Sequence, residues 1–228
     1  MNRLADSIVA LYRRHAGAWS AARLDGARGP GLMEAGWLAR FRALLPPGAE
    51  VLDLGCGPGV PIARHLVEHG HPVTGIDSAP EMIELFRRNL ARPPETKAPQ
   101  THAPQTQASA SPAIAAKAIV ADMRGLALGR RFGGLIAWDS FFHLSREDQR
   151  LMFPVFAAHA APGAPLLFTA GPAEGDAIGT LEGEPLYHAS LDPAEYRARL
   201  DAAGFDLVAH QTEDPACGGH TIWLARRR

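Results

Sequence analysis

The sequence predicts an α/β protein whose parallel sheet carries helices on both faces. Three observations carry that expectation. Between residues 51 and 169, short apolar runs alternate with segments of helical periodicity. The apolar run at 51–54 stops at three alternating glycines, Gly55, Gly57 and Gly59, and a helical pattern follows at once. Later apolar runs end in acids, Asp77 and Asp122. Alternation of this kind closes as parallel strands joined by right-handed crossovers.

A chain of 228 residues, 46% hydrophobic, is long enough to bury a full core in one domain with additions. Its 23 basic and 24 acidic residues nearly cancel, which excludes a global field drawing it to nucleic acid. Neither a secretory signal nor an apolar run of bilayer length is present, so no membrane partner is expected. The two cysteines, Cys56 and Cys217, make no disulfide framework, and a reducing cytoplasm is the expected location.

In chain order, Leu4, Ile8, Leu11, Tyr12, His15 and Trp19 recur at helical spacing, predicting a helix over 4–22, with a loop carrying Arg23 and Arg28 after it. A second helix is expected over 32–45, ended by Pro46, Pro47 and Gly48. These segments, residues 1–48, make an N-terminal helical cap, and the main domain spans 49–228. That domain begins with a strand at 51–54, a helix at 61–69, a strand at 72–76 and a helix at 80–90. Ser78 and Glu81 stand at the spacing of a capping box. Residues 92–114 are rich in Pro, Ala, Gln, Thr and Ser and contain the near-repeat APQTHAPQTQ. Such composition cannot bury enough surface to offset its ordering entropy, so a flexible insertion is expected there. Strands follow at 118–123, 132–138 and 165–169, with a helix at 146–159 capped by Ser145. Residues 171–183 read as a glycine-rich loop and 186–191 as a short extended piece. Asp192 and Pro193 open a helix reaching 203, and 205–212 with 221–225 form an antiparallel hairpin.

The glycine turn is the organising element. Its backbone angles are closed to most residues, and a side chain there would hold a ligand away from the main-chain N–H groups. Asp77, at the tip of the next strand, can accept hydrogen bonds from both hydroxyls of a ribose, or can cap the helix after it. The spacing is G-x-G-x-G rather than the G-x-G-x-x-G that seats a pyrophosphate, which disfavours a nicotinamide-dependent oxidoreductase.

The run VLDLGCGPG followed by VTGID resembles the first two motifs of the class I S-adenosylmethionine-dependent methyltransferases. The resemblance covers about residues 50–225 and implies a Rossmann-like, seven-stranded, mostly parallel sheet whose last strand is antiparallel. It implies S-adenosylmethionine as cofactor and a small-molecule methyl acceptor, in a monomer or homodimer. It further implies that Asp53 and the loop Gly55, Cys56, Gly57 and Gly59 lie against the cofactor's methionine portion and that Asp77 holds the ribose. Ser78 would sit beside the adenine, Asp122 would face its amino group, and Met123 would pack on the ring. Trp138 and Asp139 would frame the sulfonium and the acceptor. Tyr12, Trp19 and Arg28 belong to the lid side, with Arg28 suited to a carboxylate.

The residues alone leave other readings open. Asp53 can cap a neighbouring turn, Asp122 can serve a surface turn, and Met123 and Trp138 can be core residues. Cys56 lacks a placed base and need not be a nucleophile. Transfer from a sulfonium is an in-line displacement, so alignment does most of the work and a base is needed only for a protonated acceptor. His143, after the fourth strand, and His188, after the fifth, are the histidines suited to that role, with Asp139 beside them. No metal is expected, because His188, His210, Cys217 and His220 show none of the paired spacings of a metal site. A non-catalytic protein that binds the cofactor is the other class open to this sequence.

Overall fold

The computed structural model describes residues 3–28, 32–91 and 116–228. The expected insertion at 92–114 lies outside the described residues. In order, the elements are α1 (Arg3–Arg28), α2 (Ala35–Arg42), β1 (Val51–Leu54), α3 (Ile62–Glu68), β2 (Val73–Asp77), α4 (Pro80–Ala91), β3 (Ala116–Val120) and β4 (Gly134–Ala137). There follow α5 (Arg146–His159), β5 (Pro165–Ala170), β6 (Gly175–Leu181), β7 (Glu184–Ser190), α6 (Pro193–Ala202), β8 (Phe205–Asp214) and β9 (His220–Arg227).

Seven strands form one sheet in the order β3-β2-β1-β4-β5-β9-β8. Pairings from β3 through β5 are parallel, and β9 inserts antiparallel between β5 and β8. The Rossmann-like expectation therefore holds, with the last strand antiparallel. β1, β4 and β5 are buried along their whole length, as strands covered on both faces must be. One face packs against α5 and α6 through an aromatic group of Phe141, Phe153, Phe156, Phe168, Tyr196 and Trp223. The other packs against α2, α3 and α4 through Trp37, Phe41, Leu66, Ile83 and Phe86.

Local signals set several ends where the sequence predicts them. The Ser145 hydroxyl accepts the Asp148 N–H at 3.1 Å, and the Asp192 carboxylate accepts the Ala194 N–H at 2.7 Å. Three expectations are corrected. α1 does not stop at 22 but continues to Arg28, with a break at His15 (φ −109°, ψ 15°). The capping box does not form: Asp77 Oδ1 accepts the Ala79 N–H at 2.8 Å, the Ser78 hydroxyl donates instead to the Ala121 carbonyl at 3.4 Å, and Glu81 pairs with Arg13 at 3.1 Å.

The third correction concerns residues 171–183, which contain strand β6 rather than a loop alone. β6 and β7 form a separate antiparallel hairpin. Its apolar residues Leu181, Leu186, Tyr187 and Ala189 pack on Ile8 and Leu11 of α1, and Glu184 pairs with Arg14 and His15 at 2.6 Å each. Glycines at 171, 175, 179 and 183 hide the strand period, and the hairpin's partner is 170 residues away in sequence. α1 thus lies across the carboxyl ends of the strands, clasped on its other side by α4.

Candidate functional site

β1 ends where the main chain turns left-handed at Gly55 (φ 73°). A Cβ there would collide with Ser140, whose hydroxyl donates to the Leu54 carbonyl at 2.6 Å and ties the ends of β1 and β4 together. The Gly55 and Cys56 N–H groups donate to the Ile76 carbonyl at 2.7 and 3.0 Å, and the Gly57 N–H donates to Asp77 Oδ2 at 2.9 Å. Asn89 holds the far side by donating to the Pro58 carbonyl at 2.9 Å. Gly57 (φ 50°) is the open position: the nearest atom to a Cβ there is Trp19 Nε1, 3.9 Å away. Gly59, in contrast, faces α4, where a Cβ would stand 2.6 Å from Phe86. It serves packing and does not line the cleft.

The Asp77 carboxylate thus bridges the glycine turn and the start of α4, so ligand acid and helix cap prove to be compatible roles for one side chain. Burial raises its pKa, against which the Ala79 and Gly57 N–H groups work. Beside it opens a cleft lined by Tyr12, Trp19, Gly55, Gly57, Asp77, Ser78, Met82, Asp122, Met123, Ser140 and His143 among others. Asp122 is forked by Arg124 at 2.7–3.1 Å, and Arg124 also reaches Asp148 at 3.1 Å. Burial works to raise the Asp122 carboxyl, but the hydrogen bonds and charge of Arg124 outweigh it and the net shift is downward.

A smaller recess adjoins the cleft through the shared residues Trp19, Gly55, Gly57 and Asp139, and adds Arg23, Asp53, Cys56 and Trp138. Asp53 is almost fully buried. Its carboxyl is pushed up to about 7 by burial first and then by the charge of Asp77. The Cys56 sulfur packs where a Gly75 Cβ would be, and burial raises its thiol well above the ordinary value, the opposite of what a nucleophile needs. The Trp138 indole is buried, stacks on His220 with centroids 5.5 Å apart, and finds no hydrogen-bond partner for Nε1 among the described residues.

Asp139 adopts φ 49°, unusual for a residue with a side chain, and its N–H donates to the Thr169 hydroxyl at 2.9 Å. Its carboxylate is engaged by His220 Nε2 at 2.8 Å and approached by Arg23 at 3.6 Å. The other His220 nitrogen lies 2.7 Å from the Cys217 carbonyl. Both nitrogens face acceptors, so His220 is the doubly protonated cation. The Asp139 hydrogen bond raises its pKa, against the effect of burial. The Asp139 carboxylate therefore faces two basic side chains, His220 and Arg23.

His143 is buried, with Nδ1 2.8 Å from the Tyr187 carbonyl and Nε2 2.9 Å from the Tyr12 hydroxyl. A carbonyl only accepts, so Nδ1 carries the proton and the Tyr12 O–H donates to a bare Nε2. Burial holds its pKa down at about 4. Tyr12 also meets the Trp19 ring edge to face, with centroids 5.6 Å apart. His188 lies 5.0 Å from His143, ring to ring, but lines a different cavity with Phe142, Gly171, Ser190, His220 and Thr221. The two predicted histidines thus stand at the wall between two spaces.

The side chain of Arg28 lies outside the described residues. From α1 it is Arg23 that reaches the site, paired at 2.5 Å with the buried Glu34. Its place in a predicted loop concealed it, yet Arg23 follows Trp19 by four residues and so extends the Tyr12–Trp19 stripe of one helix face. In the sequence His220 stands out only beside His188, His210 and Cys217, as a set that lacks the spacing of a metal site.

A parallel sheet with a glycine turn after β1 and an acid at the tip of β2 defines a nucleoside-binding α/β enzyme. Residues 32–210 match the family model described as a methyltransferase domain, and the chain belongs to that family. It is an S-adenosylmethionine-dependent methyltransferase. No curated protein matches its sequence. Among solved structures, the DhpI–SAH complex superposes with a TM-score of 0.68 at 20% identity, covering 98% of this chain and 97% of the other. The glycopeptide N-methyltransferase MtfA with S-adenosylhomocysteine gives 0.63 at 19% identity, covering 86% and 90%. The magnesium protoporphyrin IX methyltransferase ChlM from Synechocystis PCC 6803 gives 0.58 at 17%, covering 100% and 86%. At these identities the likeness is one of fold.

Proposed function

We propose that this enzyme moves a methyl group to an oxygen, nitrogen or sulfur atom of a small molecule by in-line displacement, and that the cleft beside Asp77 holds the cofactor. The observation that supports this most is the Asp77 carboxylate, pinned between the Gly57 and Ala79 N–H groups at the lip of the cleft and still owning lone pairs for two hydroxyls. The residues present fit the group: the one open glycine of the turn lines both the cleft and the adjoining recess, and the recess adds Asp53 and the unpartnered Trp138 indole. Bound there, S-adenosylmethionine supplies a methyl carbon activated by a sulfonium.

Asp77 would hold the ribose, Ser78, Met82, Asp122 and Met123 the adenine, and Gly55, Gly57, Asp53 and Trp138 the amino-acid end. Residues 1–48 act as the lid, with Tyr12 and Trp19 closing the cleft and excluding water, and Arg23 locking the lid to Asp139. The cavity beside His188 takes the body of the acceptor, whose reacting atom extends past His143 to the Tyr12 side of the cleft. Its walls come from the segments after β4 and β5, from β7 and from the β8–β9 turn, and nothing about them suits a nucleic-acid backbone. A cytoplasmic location fits two buried free cysteines. Among the described residues no helix is long and apolar enough to cross a membrane.

Calorimetry with S-adenosylmethionine and with NAD tests the reading. Binding of the first that weakens in Asp77→Ala is expected, and binding of NAD alone would overturn it.

A further inference from the structure

His143 cannot meet an acceptor directly, because the Tyr12 hydroxyl sits on its only free nitrogen. Asp139 is committed to His220 and Arg23. What the cleft presents instead is the Tyr12 oxygen. Among the described residues its one hydrogen bond is the one donated to His143, which leaves its lone pairs for a proton from elsewhere. We propose that Tyr12 is a catalytic residue: its phenolic oxygen takes the proton that the acceptor loses while its own hydroxyl proton passes to Nε2 of His143. The proposal rests on the methyl-transfer reading above and names the group that touches the acceptor.

The balance closes without a further reactant. The acceptor atom places a lone pair in its new bond to carbon and gives up one proton, and the electron pair of the broken carbon–sulfur bond stays on sulfur. One positive charge leaves the sulfur and one arrives on the His143 imidazole, so the buried site keeps its net charge. This matters because an added buried charge is costly. His143 can receive the proton without turning, since Nδ1 is already held by the Tyr187 carbonyl. The other titratable groups facing it are His188, whose charge would oppose protonation, and Asp139, which favours it. Tyr12 itself never needs to become a phenolate. Burial first, and then the charges of Asp139 and Asp77, raise its pKa, which favours a concerted passage through the hydroxyl.

The test is 15N NMR of the imidazole nitrogens in the full chain, wild type and Tyr12→Phe, free and with S-adenosylmethionine or S-adenosylhomocysteine. The expected results are an Nδ1–H tautomer for His143 at pH 7 and an Nε2 resonance that shifts in Tyr12→Phe as its hydrogen bond is lost. A proton affinity about tenfold higher with S-adenosylhomocysteine than with S-adenosylmethionine is also expected, one full pKa step. An Nε2–H tautomer, an Nε2 signal indifferent to Tyr12→Phe, or equal proton affinity with both nucleosides would overturn the relay. Failure of the wild type to bind either nucleoside would instead sink the methyl-transfer reading, and the tautomer of the free protein would still judge the Tyr12–His143 pair.

Discussion

The two sides of the cleft are built differently. The side formed by the glycine turn and Asp77 comes from residues 53–79, within two strands and the turn that follows each. Its hydrogen bonds run mostly between main-chain atoms and one carboxylate, as in Gly55 and Cys56 to the Ile76 carbonyl and Gly57 to Asp77, with Ser140 and Asn89 each donating to one main-chain carbonyl. The opposite side is assembled from Tyr12, Arg23, Asp139, His143, Tyr187 and His220, contributed by four distant segments through side chains. A main-chain cradle is rigid and tolerates no side chain, whereas a wall of side chains can be retuned one residue at a time. The first suits a cofactor shared by a family, and the second a substrate particular to one enzyme.

Breaking each side separately sharpens that contrast. The largest effect falls on the cradle: Gly55→Ala must move Ser140 and accept φ 73°, at a cost of about 3 kcal/mol in chemical denaturation. Gly57→Ala, with open space around it, should lose much less stability and should weaken cofactor binding instead. On the other side, His143→Ala lowers turnover by about 100-fold, the range of a lost proton acceptor, while calorimetry finds S-adenosylmethionine bound within about threefold of wild type. Equal losses in both measurements would mean that this histidine belongs to the cradle.

Next in size is Asp77→Ala, which weakens cofactor binding by at least about tenfold, 1.4 kcal/mol or more. An unchanged Kd would remove Asp77 from the site. A further effect depends on pH. Asp53, with an ordinary value near 3.9, is raised in the folded protein to about 7, so the native state holds its proton more tightly than the unfolded chain. That contribution to stability is complete below about pH 4 and is lost as pH rises through 7. Asp53→Asn should therefore raise the thermal midpoint at pH 8 and leave it nearly unchanged at pH 4. A midpoint lowered at both would show that the carboxylate form is the one the fold needs.

The order of strands, the glycine turn and the caps at Ser145 and Asp192 were legible because each rests on neighbours within a few residues. Arg23 shows the limit. Its helix position was readable by adding four to Trp19, but Glu34 and Asp139, which hold it, come from separate elements. The β6–β7 hairpin shows another. Strand character is decided there by packing on Ile8 and Leu11 and not by a period that four glycines obscure. The glycine spacing places Gly59 in the ligand cradle, and only the position of Phe86 reveals that its missing side chain makes room for a helix.

By itself the sequence determined the α/β class, the cradle and the acid at the tip of the second strand, since apolar period, glycine and proline act over one or two turns of chain. The tertiary structure decided which side chains face the cleft, which histidine is charged and which is neutral, and that the Tyr12 hydroxyl sits on the bare nitrogen of His143. Those outcomes depend on burial and on the donor or acceptor opposite each nitrogen, quantities that exist only after segments more than a hundred residues apart have come together.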